Sequence, residues 1–427
     1  MSVLASEGNI KGQIIREHGS FHIRRDDFPM LRQTAYGRPL VYLDNAATTQ
    51  QPDCVIRCMK DYFENGHSNI HRGAHYFSNL ATTKVEEARK SVANLLHAAE
   101  PEEIIFTSGT TESISLVANG LRFQLKPGDA IISTQMEHHS DFVPWQQICR
   151  QTGSTFLTCP MDMHGDLDLN SLEELLKKHS VFLVAVTQVS NVTGAVNPVR
   201  EIVNLCHRYD AKVLIDGAQG VRHEPCNVAE IDCDFYAFSA HKMMGPTGVG
   251  VLYGKRNLLE ELEPLRYGGG MVDIVTEQET SYGDIPFRLE GGTPNIGAII
   301  AFGECIRYLQ EIGLDAIAAY EDSLMTYLEQ RMKEVGGIRI LCQPARRSGC
   351  ISFVGERFHA YDIASFLDKQ GIAVRSGNLC AQPLLTQAGV SSVVRISPAF
   401  YNTYEEIDAC IDALDKTIGL LEKLAPK

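Results

Sequence analysis

From about residue 85 the chain alternates short, wholly apolar runs with segments whose apolar positions recur at helical spacing. Glu103–Thr107, Ala130–Ser133, Thr155–Thr158, Val181–Thr187, Lys212–Asp216, Phe235–Ser239 and Val249–Tyr253 read as strands. Thr111–Leu121, Leu169–Lys178 and Val199–Tyr209 read as helices between them. Strands that are apolar on both faces need cover on both faces. The pattern therefore predicts a mostly parallel sheet sandwiched by helices, an α/β architecture.

Two glycine-rich segments, Gly268–Gly270 and Gly291–Pro294, bracket a predicted hairpin or loop. A long helix is predicted from about Asn295 to Glu311 as a bridge. Beyond it, short strands (Ile338–Leu341, Gly349–Val354, Ala373–Arg375, Val393–Ser397) alternate with helices at about Ala360–Gln370 and Thr403–Lys423. This predicts a large domain over 27–300 and a smaller α+β domain over 301–427, with the first residues of the former able to pack on the latter. Residues 1–26 are polar and lack apolar periodicity, which suggests a flexible extension or a docking or encapsulating contact.

Of 427 residues, 44% are hydrophobic and 22% charged, enough for a large buried core. The net charge is −14 and no basic-aromatic stripe occurs, which argues against nucleic acid as a partner. No apolar run reaches the roughly 18 residues of a membrane span. The N-terminal stretch lacks the apolar core of a secretory signal. The 12 cysteines are scattered without a CxxC pair. Eleven read as small core residues in a reducing, cytoplasmic setting. Asp162, Asp166 and Asp168 do not have EF-hand spacing and read as a turn plus a helix cap. No metal site is expected.

The chemistry is concentrated in loops that follow the strands. Ser108-Gly-Thr-Thr-Glu112 offers a glycine turn, the hydroxyls of Thr110 and Thr111 and the first amides of a helix, either a phosphate cradle or an ordinary N-cap. Glu137-His138-His139, Asn191, Asp216 with Gln219, and Ser239 with His241 and Lys242 occupy corresponding positions after later strands. Ligands bind at this edge of such sheets. Lys242 follows Asp216 by 26 residues. A lysine amine that forms a Schiff base and a carboxylate that keeps a pyridine nitrogen protonated are what a pyridoxal phosphate ring needs to act as an electron sink. His138 is suited to stack on such a ring and shuttle protons. Cys380 lies in a glycine-containing loop after Arg375, whose charge favours a thiolate. Arg395 interrupts an apolar strand and predicts a carboxylate partner, from substrate or from an internal Asp or Glu.

These residues resemble the class V group of fold-type I pyridoxal phosphate enzymes, specifically the Suf-type (group II) cysteine desulfurases, close to selenocysteine lyases. The resemblance runs from about Asp27 to Leu421 and rests on Tyr42-Leu-Asp-Asn-Ala-Ala47, His71-Arg-Gly73, Gly109-Thr-Thr-Glu112, Gln135-Met-Glu-His-His139, Val189-Ser-Asn191, Asp216-Gly-Ala-Gln219, Ser239-Ala-His-Lys242, Gly292-Thr-Pro-Asn295 and the Cys380 loop. It implies a seven-stranded, mostly parallel sheet in the large domain. It also implies that Lys242 carries the cofactor and moves the Cα proton. His138 stacks on the ring, Asp216 pairs with its nitrogen and Gln219 reaches its hydroxyl. Thr110, Thr111, Ser239 and His241 surround the phosphate, with Thr293 reaching it from a partner subunit of a homodimer. Asn45, Ala46, His71, Arg72, Asn191, Arg375 and Arg395 surround the substrate. Cys380 takes its sulfur as a persulfide, leaving alanine. The short stretch after Arg375 resembles the short-loop group, which passes sulfur to an acceptor protein for iron–sulfur cluster or related biosynthesis.

The chain departs from that pattern at Gly377-Asn378-Leu379-Cys380, where the family has histidine immediately before the cysteine. A selenocysteine lyase would keep activity on selenocysteine without Cys380. An epimerase or aminotransferase-like relative has no use for that cysteine, and a non-catalytic partner subunit would form no Schiff base at Lys242.

Overall fold

The computed structural model describes residue 22 and residues 24–424. Most of the expected extension therefore lies outside the described residues. From Arg24 onward the chain is packed: Phe28 is fully buried and Arg25 pairs with Glu406 at 2.7 Å.

Seven strands form the main sheet: β1 (Ile104–Thr107), β2 (Asp129–Thr134), β3 (Thr155–Cys159), β4 (Ser180–Thr187), β5 (Lys212–Asp216), β6 (Phe235–Ser239) and β7 (Gly250–Gly254). Their spatial order is β1-β7-β6-β5-β4-β2-β3, and only β7 runs against the others. Alternation along each strand separates two apolar faces. Ile105, Ile131, Leu183, Leu214 and Leu252 join one buried cluster, while Phe106, Ile132, Val184, Val213 and Val251 join the other. Helices cover both, as two-sided apolar strands require.

The helix Asp53–Asp61 and the 21-residue α1 (Tyr76–Leu96) precede the sheet, and α2 (Thr110–Leu121) follows β1. The predicted bridge is α3 (Ile296–Ile312), so the boundary expected at residue 300 falls inside a helix. It packs on α1, where a Cβ on Gly303 would come within 2.9 Å of the Ala88 Cβ. The sequence reading has no counterpart for α4 (Leu314–Met332), which follows after one glycine. Its 19 residues present a weakly segregated apolar pattern, and packing on two sides makes it a helix. Asp162 accepts three backbone N–H bonds of a tight turn, and Asp168 caps Leu169–Lys178.

The small domain carries a four-stranded antiparallel sheet, β8 (Ile338–Ile340), β9 (Ile351–Gly355), β10 (Arg375–Gly377) and β11 (Val393–Ile396), in the order β8-β9-β11-β10. The terminal helix α5 (Tyr404–Leu424) packs with α4 and with the helix Ala360–Asp368. The predicted strand Ala373–Arg375 divides: Ile372–Ala373 pairs with Val41–Tyr42, and Arg375 opens β10. The strand Val41–Tyr42, ahead of the large sheet in sequence, thus pairs with the small domain. A buried polar cluster closes the seam: His223 Nδ1 lies 2.7 Å from Glu321, Arg222 lies 3.7 Å from it, and Phe400 N–H donates to Glu321 at 2.9 Å. No described helix is long and apolar enough to cross a membrane.

Candidate active site

Because β1, β2, β4, β5 and β6 point the same way, their following loops meet at one edge. A cleft of about 330 Å³ opens there, lined by Thr110, Thr111, His138, Ser140, Asn191, Asp216, Ser239, His241 and Lys242 from the large domain. Ala46 and Ala47 line it from the N-terminal segment, and Arg375, Leu379, Cys380 and Arg395 from the small domain.

Lys242 ends a 3₁₀ turn after β6. The turn is pinned from below: His241 C=O accepts from Thr49 N–H (2.9 Å), Thr49 Oγ1 (3.0 Å) and Thr48 Oγ1 (3.2 Å). Burial lowers the Lys242 pKa against the opposing pull of Asp216, and Arg395 lowers it further. The amine is thereby moved toward its uncharged, nucleophilic form. Asp216, at the end of β5, is 4% exposed; its Oδ1 accepts Ala218 N–H at 2.8 Å, and burial raises its pKa.

At the start of α2, Gly109 has no side chain to cap the first turn. Ser239 Oγ bonds both Thr110 N–H (2.8 Å) and Thr110 Oγ1 (2.7 Å), and Thr111 Oγ1 meets Ser140 Oγ at 2.6 Å. This corner forms because β7 passes close by: a Cβ on Gly250 would come within 2.4 Å of Gly109 backbone. Hydroxyls, first-turn amides and the helix dipole suit a phosphate. With Lys242 and Asp216 in the same cleft, the donor set fits pyridoxal phosphate: Thr110, Thr111, Ser239 and His241 would hold its phosphate and Asp216 would face its pyridine nitrogen.

His138 Nδ1 accepts Ser140 N–H at 3.1 Å, which places the ring proton on Nε2. Burial first, then Lys242, brings its pKa down to about 3, so the ring is neutral at pH 7. Beside it in sequence are two carboxylates, Glu137, which the sequence reading names without a role, and Asp141, which it does not name. Glu137 and Asp141 are fully buried, and Glu137 Oε2 and Asp141 Oδ2 have no donor among the described residues. Burial raises both pKa values, and each side chain is the other's hydrogen-bonding neighbour, an arrangement that needs a shared proton.

Arg375 and Arg395 face each other directly across β10 and β11. Like charges so placed repel. Asp44 lies between them, 2.9 Å from Arg375 and 3.2 Å from Arg395. Of the two partners expected for Arg395, the internal carboxylate is present as Asp44. Nη2 pairs internally with Asp44 and Nη1 donates to Asn191 C=O at 2.8 Å, while the buried Nε has no partner. Asp44 belongs to the run that carries the resemblance, which was the available signal. Arg375 is likewise engaged by Asp44 and reaches the Cys380 side of the cleft from that pairing.

Of the twelve cysteines, eight are buried, three half-buried and Cys380 alone is exposed. Five of the expected site residues, Asn45, His71, Arg72, Gln219 and Thr293, do not line this cleft. Asn45 is fully buried and bonds Tyr42 C=O, Ser397 C=O, Asn402 and Tyr401, so it braces the segment under Ala46 and does not line the cleft. His71, Arg72 and Thr293 line a second cleft of about 350 Å³ with Gly269, Gly270 and Phe287. Gln219 donates from Nε2 to Ala46 C=O at 2.7 Å.

Against known proteins, the family described as Aminotransferase class-V matches residues 41–410. A cysteine desulfurase of Dickeya dadantii is 45% identical over 407 residues, 95% of this chain and 98% of its own length. A probable cysteine desulfurase of Halalkalibacterium halodurans is 45% identical over 391 residues, 91% of this chain and 96% of its own. The crystal structure of the cysteine desulfurase CsdA of Escherichia coli superposes with a TM-score of 0.86 at 36% identity, covering 93% of this chain and 98% of that one. A cysteine desulfurase of Thermococcus onnurineus gives 0.87 at 36% identity, covering 94% and 99%.

Proposed function

The chain belongs to the aminotransferase class-V family and, within it, to the cysteine desulfurases; from that premise we propose how its own residues take sulfur from L-cysteine. The cofactor is pyridoxal phosphate, which when bound supplies the electron sink that weakens the substrate Cβ–S bond.

Arg395 lines the cleft beside Asn191 and Ala46, and its guanidinium holds the substrate carboxylate there. Lys242, its amine biased toward the neutral form, removes the Cα proton. His138 holds its proton on Nε2 beside the reacting atoms. Cys380 Sγ bonds to the substrate sulfur as the Cβ–S bond breaks, and the protons left over complete alanine. In balance, L-cysteine and the Cys380 thiol become L-alanine and a Cys380 persulfide. The observation that carries this reading is that the one exposed cysteine of twelve lines the same cleft as Lys242.

The short connection supports the short-loop, Suf-type assignment: only residues 378–381 separate β10 from the helix Gln382–Gln387. Such a loop cannot carry sulfur far, so an acceptor protein docks at the exposed Cys380 and relays it toward iron–sulfur cluster or related biosynthesis. Thr293, His71 and Arg72 lie in the second cleft, which supports a homodimer in which one copy completes the other's site. The cytoplasm is its expected compartment.

The test is anaerobic incubation of the yellow holoenzyme with L-cysteine, following alanine and intact mass, beside Cys380→Ala. Alanine with one added sulfur on the wild type only is the expected result. A cofactor-loaded protein that forms neither product overturns the reading, and activity on selenocysteine that survives Cys380→Ala replaces it with a lyase.

A further inference from the structure

The nucleophile loop holds two successive residues, Leu379 (φ 51°) and Cys380 (φ 55°), in the left-handed region. Neither is glycine, and bulky side chains adopt that conformation only where surrounding contacts over-determine it. Within the loop, Asn378 Oδ1 accepts Cys380 N–H at 3.1 Å and Ala381 N–H donates to Asn378 C=O at 3.0 Å. The remaining contacts come from the large domain. Asn191 Nδ2 donates to Leu379 C=O at 2.9 Å. His139 grips the chain on both sides of Ala381: its N–H donates to Cys380 C=O at 2.7 Å, and its Nε2 accepts Gln382 N–H at 3.2 Å. Gln382 begins a short helix whose N-cap residue, Ala381, offers no side-chain bond. The imidazole supplies that bond across the domain boundary.

We propose that His139 is the latch of the nucleophile loop, a positioning residue that holds Leu379 and Cys380 in their left-handed turn with Cys380 presented to the cleft. The adjoining sequence agrees. Leu379 stands where the resembling family has histidine, and its side chain is only 7% exposed within the main core. The imidazole that touches this loop therefore comes from the large domain. The inference rests on the proposed role of Cys380, but the latch itself is read without turnover.

A backbone N–H can only donate, so Nε2 accepts and the latched ring is neutral, with its proton on Nδ1. Burial, the one cause that moves it, lowers the His139 pKa. The titratable groups facing it are His138, whose ring centroid is 6.3 Å away, and Cys380 on the loop it holds. His138, held down to about 3, does not titrate near neutrality. A depressed histidine contributes above its ordinary pKa and loses its contribution as pH falls. The latch is thus closed at neutral pH and above, and opens as pH falls below the ordinary histidine range.

The experiment is hydrogen exchange of the holoenzyme, resolved to the peptide spanning Cys380 and Gln382, with rates corrected for intrinsic pH dependence. His139→Ala should raise exchange there about tenfold, the loss of one hydrogen bond, and lower persulfide yield on Cys380 with KM for L-cysteine unchanged. His139→Gln places an amide oxygen that accepts but does not titrate. It should stay within about threefold of wild type and keep its protection on acidification, while wild type loses it. If the Ala variant fails to fold, wild type and His139→Gln decide alone. Equal exchange in wild type and Ala, or parallel pH profiles in wild type and Gln, overturns the latch. A latch that behaves as stated in a protein that makes no alanine would remove the sulfur chemistry and leave the latch standing.

Discussion

On the large-domain wall of the cleft, Lys242, Asp216 and Ser239 stand at or just past the ends of adjacent central strands, their backbones fixed by ladder bonds and by the Thr48–Thr49 brace. On the opposite wall Cys380 sits in four residues between a strand and a short helix, exposed, left-handed and held by a few side chains from across the domain boundary. The cofactor side must keep a ring and a phosphate in one place, and strand ends provide rigidity. The sulfur side must meet a substrate within and an acceptor without, and a lightly held loop meets both. Rigidity and exposure are divided between domains because one element cannot supply both.

The largest effect should come from the rigid wall. Lys242→Ala removes the amine from a site whose other members remain, so turnover should fall by about 10³-fold or more. The visible absorbance should be altered while thermal unfolding stays close to wild type. A variant that keeps more than a few per cent of alanine formation would show that the wall does not work through this lysine. Next is the seam that fixes one wall against the other. Glu321→Ala leaves Arg222 and His223 buried without their carboxylate and removes the side-chain acceptor of Phe400 N–H. Breaking such a cluster should cost about 3–5 kcal/mol, read by denaturant unfolding. A loss below about 1 kcal/mol would mean that the walls are not held together there. The lightly held loop should respond less: Asn378→Ala removes the acceptor for Cys380 N–H, about 1 kcal/mol. Persulfide formation should slow several-fold with an unchanged absorbance spectrum, and a spectral change instead would show that the two walls are not independent.

The same division explains what could be read along the chain. Strand-end residues were legible because a parallel sheet forces them to one edge: given apolar runs that end in Thr187, Asp216 and Ser239, topology does the rest. Residues that act across the domain boundary were not. Asp44 neutralises Arg375 and Arg395 from more than three hundred positions away, and no local period encodes that pairing. In the sequence His139 is only the neighbour of His138, since nothing local marks which residue turns toward a loop near position 380. Helix α4 escaped for a different reason. Buried on more than one side, it lacks the single apolar stripe that marks a surface helix.

The smallest effect expected lies under the rigid wall and concerns a proton. Glu137 and Asp141 are both buried acids with raised pKa values, so the folded protein favours a protonated state that the unfolded chain gives up near pH 4. Their contribution is full below that pH and drains as pH rises through their raised values. Asp141→Asn keeps the acceptor for Trp145 Nε1–H, now 2.8 Å from Oδ1, and lets the new amide donate to Glu137 Oε2 without a shared proton. One of the two ionisations is gone. Stability should therefore match wild type near pH 5 and fall less steeply above it, by about 1 kcal/mol or less, in thermal melts taken from about pH 5 to about pH 9. Parallel pH profiles would mean that the pair carries no shared proton. A variant unfolded at neutral pH would mean that Asp141 works as a charged partner of the site, and the rigid wall would then depend on a buried charge.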